Sequence, residues 1–170
     1  MHIAIGTGVG FQNKIKDKIS SFEGHLRVST YESNATNATL EGINYQLITS
    51  NVETKDIAFI NPVAYASTVF KTDEHFTGGL LKGIDSTYHW NAFEDYLTDG
   101  RLPVIGTTTS REILVSKHIA KKLGVNTGDR ISSFFLFEDR LPIRRSFVVS
   151  GLYNSGFSDF DQRIAFADLR

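Results

Sequence analysis

The spacing of apolar residues changes repeatedly along this chain, and each change marks a predicted element. Phe11, Ile15, Ile19 and Phe22 recur at helical steps with Gln12, Asn13, Lys14, Lys16 and Asp17 between them, predicting an amphipathic helix ended by Gly24. "HLRVSTY" alternates, with Leu26 and Val28 on one side, and predicts a half-buried strand. The polar stretch "ESNATNATLEG" reads as a loop, and its sequons at Asn34 and Asn37 read as turn-forming Asn and Thr. Apolar runs follow at "INYQLI" and "IAFINPVAYASTVF", the second with Pro62 at a bulge or sheet edge. A strand is predicted from Leu80 to Ile84, entered through Gly78 and Gly79. Trp90, Phe93 and Leu97 then return to helical spacing, with Gly100 as the stop.

The last third gives the sharpest pattern. "REILVS" reads as a strand, and "SKHIAKKLG" as a one-faced helix with Ser116 at its N-cap, Ile119 and Leu123 inward, and Gly124 at its end. After the turn "NTGD", strands from Arg130 to Phe137 and from Arg144 to Tyr153 are joined by a few residues, which predicts a hairpin. No repeat of fixed period and no heptad run is present, so solenoids and coiled coils are set aside.

Composition narrows the class. At 170 residues the chain suits one domain or two small lobes, and 41% hydrophobic with 22% charged residues is ordinary for a folded globular protein. A net charge of -1 offers no general field for nucleic acid, which is not expected as a partner. The absence of cysteine removes disulfides and thiolate metal sites without choosing a compartment.

The search for chemistry yields little that is catalytic. Gly6, Gly8 and Gly10 lack both the Rossmann register and the Lys-Ser/Thr pair of a P-loop, and "MHIAIGTGVG" reads better as the outer end of a membrane helix than as a signal peptide. His2, His25, His75, His89 and His118 show no ligand spacing, and no G-x-S-x-G elbow is present. Asp159 and Asp161 alternate with aromatic residues and read as a solvated turn; Asp73, Glu74 and His75 read as a charged loop. Lys117, Lys121 and Lys122 read as the wet side of their helix. We therefore expect no catalytic residue, no metal and no cofactor in this chain. The hairpin stands out instead. "SFFLF" puts Phe135 and Phe137 on one face and Phe134 and Leu136 on the other, so both faces are apolar. Its connection carries Arg140, Leu141, Pro142, Arg144 and Arg145, a basic and partly apolar set that makes it the candidate docking surface for a partner.

Three segments in fixed order, "LLKGIDSTYHWNAFEDYLTDGRLP", "EILVSKHIAKKLGVNTGD" and "FVVSGLYNSGFSDFDQRIAFADLR", resemble the extracytoplasmic domain of ABC-transporter permeases of the FtsX/MacB/lipoprotein-releasing type. The resemblance runs from about Ile3 to Arg170. It implies an α+β, mixed-sheet, two-lobed domain: a porter-like lobe from residues 1–78 and 146–170, and an inserted smaller β-rich lobe from residues 79–145. It also implies a place at the periplasmic face of the bacterial inner membrane, with this chain a soluble fragment of an integral membrane protein. In such permeases the first transmembrane segment ends in a similar glycine-rich run before an amphipathic helix.

The mechanism implied is mechanical. ATP binds the cytoplasmic ATPase partner, the membrane helices transmit its movement, and the domain moves against that of a second permease copy or paralogue. Lipoprotein-releasing members hold a periplasmic chaperone on a protruding hairpin, MacB-type members contact an adaptor, and cell-division members control a wall hydrolase. Here the turn "EDRLPI" is short, and these outcomes stay open. A free-standing soluble binding module is the second reading, and a small hydrolase or nucleotide enzyme resting on the glycines and scattered acids is the third.

Overall fold

The structure, a computed structural model, describes residues 57–90, 93–136 and 141–170 together with residues 16, 20, 22–29, 43–44, 48 and 50. The chain divides into two compact units, Met1–Ala58 and Phe59–Arg170. In the first, Lys16, Ser20, Phe22 and Glu23 are helical and Phe22 is buried. Gly24, at φ 81°, ends this helix as expected, and its N–H donates to the Ser20 carbonyl at 2.8 Å. Phe11, Ile15 and Ile19 lie outside the described residues, as do Gly6, Gly8, Gly10, Asn34 and Asn37. Of the strand expected over "HLRVSTY", the described residues 25–29 are irregular, with Leu26 88% and Val28 64% exposed. Alternation specifies a strand only where a neighbour takes up the backbone groups, and no described strand pairs with this segment. Ile48 and Ser50, at the end of the "INYQLI" run and just beyond it, are helical.

The second unit is a mixed sheet with short helices, an α+β arrangement. Its strands are β1 (Val63–Lys71), β2 (Phe76–Ile84), β3 (Leu97–Gly100), β4 (Glu112–Ser116), β5 (Arg130–Phe135), β6 (Ile143–Tyr153) and β7 (Ile164–Asp168). They lie in the order β3-β6-β4-β7-β2-β1-β5, and β5 pairs again with β6. That last pairing closes six strands into a barrel. β6 is long enough to serve both neighbours on one edge: residues 143–148 bond β5, and residues 151–153 bond β3. The β2–β7 and β4–β6 pairs are parallel and the other pairs antiparallel.

Side chains of alternate parity fill the barrel, among them Phe70, Leu81, Ile113, Val115, Ile131 and Phe147. A register shift between β4 and β6, at Ile113/Leu114, places Val149 opposite Ile113 and Gly151 opposite Leu114. The extra residue, Ser150, reverses the alternation, so Leu152 joins Phe147 and Val149 in the core. Helix α1 (Lys117–Leu123) adds Ile119, Ala120 and Leu123 to the same cluster. Its signals act as predicted: the Ser116 hydroxyl accepts from Ile119 N at 3.0 Å, and Gly124 adopts φ 67° at the C-cap. Lys117, Lys121 and Lys122 are exposed on its outer side.

Where a helix is expected around Trp90, Phe93 and Leu97, the described residues form a 3-10 turn, Glu94–Tyr96, and Leu97 begins β3. Tertiary packing overrides the helical spacing here. Phe93 stacks edge-on against Phe166 and Tyr153 at 4.8 and 5.2 Å, Trp90 lies 5.8 Å from Phe166, and the chain then continues straight into pairing with β6. These rings cover the face of β7 opposite the barrel interior. Tyr153 donates its hydroxyl to the Ile164 carbonyl at 2.7 Å; burial, assisted by the Asp161 charge, pushes its pKa well up, so it stays a donor.

Pro62 directly precedes β1, where its missing N–H removes no ladder bond. Positions 79 and 146, the expected lobe boundaries, fall inside β2 and β6, and the sheet runs through both.

Candidate docking surface

The predicted hairpin forms: β5 and β6 pair from Arg130↔Val148 to Phe135↔Ile143. Its inner face is spoken for, because Phe135 packs against the barrel core. Its outer face is not. Phe134 is half-buried, Leu136 is 63% exposed and Leu141 is 86% exposed. Phe137 and Arg140 lie outside the described residues.

Cross-strand pairing extends this outer face beyond the hairpin. Val69 lies opposite Phe134, Lys71 opposite Ser132, and Phe76 opposite Lys71. Residues opposite one another point to the same side of a sheet, so three strands contribute to one surface. An apolar trough of about 370 Å³ results, lined by Val69, Phe76, Phe134, Leu136 and Pro142 with Lys71 at its edge. It adjoins a polar groove of about 710 Å³, which shares Lys71 and Phe134 and adds Arg130, Ser132, Arg144 and Ser146. The Thr72–His75 turn and the α1 C-terminus at Gly124 form the far wall. The charged set Asp73, Glu74 and His75 is thus a loop, as expected, and Thr72 ties it to α1 through its hydroxyl on the Leu123 carbonyl at 3.3 Å.

The five predicted docking residues do not act as one cluster. Pro142 lines the apolar trough and Leu141 projects beside it. Arg144 points outward, with its guanidinium 5.9 Å from the Phe134 ring and donating to Ser132 Oγ at 3.1 and 3.2 Å. Arg145 is the next residue on β6 and takes the opposite face. Lys71, Arg130, Val69 and Phe76 complete the surface and were missed. Their only sequence signal is alternation within β1, β2 and β5, and the β1–β5 pairing that brings Val69 and Lys71 to the hairpin spans more than sixty residues.

Electrostatics sets the surface apart. The ion pairs among the described residues are Arg101–Glu112 and Arg170–Asp168, both elsewhere. Lys71, Arg130, Arg144 and Arg145 have no carboxylate partner among the described residues. Asp73, Glu74 and Asp129 line the same groove as Lys71, Arg130 and Arg144, so charges of both signs meet there.

Other candidate chemistry dissolves into structure. Asp161, expected in a solvated turn, is buried in helix α2 (Ser158–Asp161). Its carboxylate accepts from Ser155 N at 3.0 Å, Ser155 Oγ at 2.7 Å and Gly156 N at 3.1 Å, which fixes the turn after β6. Asp159 remains exposed, so the two carboxylates do not form a pair. Among the described residues no group of three His, Cys, Asp or Glu side chains could hold a metal, and no helix is long and apolar enough to cross a membrane.

No family model matches the chain and no curated protein matches it. Among solved structures, it is similar to the extracellular domain of the noncanonic ABC-type transporter YknZ from Gram-positive bacteria, with a TM-score of 0.55 and 18% identity. The match covers 84% of this chain and 70% of that one. The fold is shared with an ABC-transporter extracellular domain.

Proposed function

We propose that this chain is a non-catalytic extracytoplasmic domain of an ABC permease of the FtsX/MacB/lipoprotein-releasing type. The observation carrying this reading is the shared fold over 84% of the chain, joined to the order of the three sequence segments. In this reading a cytoplasmic ATPase binds ATP and drives the membrane helices, and the domain passes that movement to a periplasmic partner or substrate. The partner is an adaptor, chaperone or hydrolase, and a second permease copy or paralogue completes the transporter. The barrel suits such a role because a closed sheet with a packed core moves as a body. The docking residues proposed are Leu141, Pro142 and Arg144 on the outer hairpin face, with Arg140 and Arg145 flanking them. A free-standing binding module is the second reading, with the polar 710 Å³ groove as its candidate site.

Fractionation of native cells followed by immunoblotting tests the reading. A membrane-bound band much heavier than 19.0 kDa is expected. A soluble band near that mass would overturn the permease assignment.

A further inference from the structure

We draw no further inference here: the strongest candidate, the apolar trough of Val69, Phe76, Phe134, Leu136 and Pro142 beside the β5–β6 hairpin, carries none, because nothing in the structure shows what covers it and the polar groove adjoining it is lined by charges of both signs.

Discussion

Two buried serines show how little a residue's type says without its partners. Ser116 caps α1 by accepting from Ile119 N, and its hydroxyl also donates to the Asp161 carbonyl, joining α1 to α2. Ser133 is equally buried inside the barrel, yet its hydroxyl has no hydrogen-bond partner. Removing a hydroxyl that satisfies a helix N–H costs about 1–2 kcal/mol, whereas removing an unsatisfied one relieves a desolvation cost. Ser116→Ala should therefore lower the free energy of unfolding by about 1–2 kcal/mol, and Ser133→Ala should leave it unchanged or raise it. Urea titrations of both variants check this; equal losses would remove the distinction. The cap was legible because its signal lies within nine consecutive residues, Ser116 to Gly124. Asp161 was misread for the opposite reason. Its role depends on a turn at Ser155 and Gly156 whose geometry no local spacing reveals.

At the scale of elements, the strands that pair through short connections were legible and the ones that pair at long range were not. The β5–β6 hairpin was read from its alternation, but β1–β5 pairing, which joins the hairpin to the rest of the sheet and builds the outer face, left no local trace. The helix expected at Trp90 failed because aromatic residues at helical spacing can also pack singly on another element, as Phe93 does on Phe166. The fit of β1 on β2 makes a sharper point. A Cβ on Gly79 would run into the ring of Phe70 and approach the Arg163 carbonyl at 2.9 Å. Phe70 fills the barrel at 0% exposure and has nowhere to retreat. Gly79→Ala should destabilise the protein by about 1–3 kcal/mol through overpacking, while Gly78→Ala, where a Cβ meets nothing within 4 Å, should stay within about 0.5 kcal/mol. Thermal melting of the two variants separates packing from a general loss of glycine flexibility, which would affect both alike.

The whole second unit depends on two ionic ties that hold the connection between β3 and β4 to the sheet. Arg101 donates to Glu112, whose carboxylate also accepts from Val104 N at 2.7 Å; those hydrogen bonds, the arginine's first, hold the Glu112 carboxyl below its usual range. At the other end of the connection Asp168 accepts from Ser110 N at 2.8 Å and from the Arg170 guanidinium at 2.9 and 3.0 Å. Burial alone would raise Asp168, but these bonds outweigh it and leave its pKa lowered. Arg170 donates onward to the carbonyls of Gly106, Thr107 and Thr108, so one residue clamps the connection to β7. A carboxyl whose folded pKa is depressed contributes stability that is complete above its unfolded pKa, about 4, and is lost as pH falls through the folded value. The unit should therefore hold its melting temperature near neutrality and lose it progressively below about pH 4. Replacing both acids, Glu112→Gln with Asp168→Asn, should lower the melting temperature at pH 7 and flatten its fall on acidification. Both effects must appear together, because a variant that loses stability at pH 7 yet keeps the full acid slope would place the titration in other carboxyls. The same ties join both ends of the connection to adjacent strands β4 and β7, so acid should loosen the connection before the barrel interior opens. Hydrogen exchange at pH 3.5 would read that order directly, with Val104 and Ser110 amides exchanging ahead of those of Ile113 and Ala165.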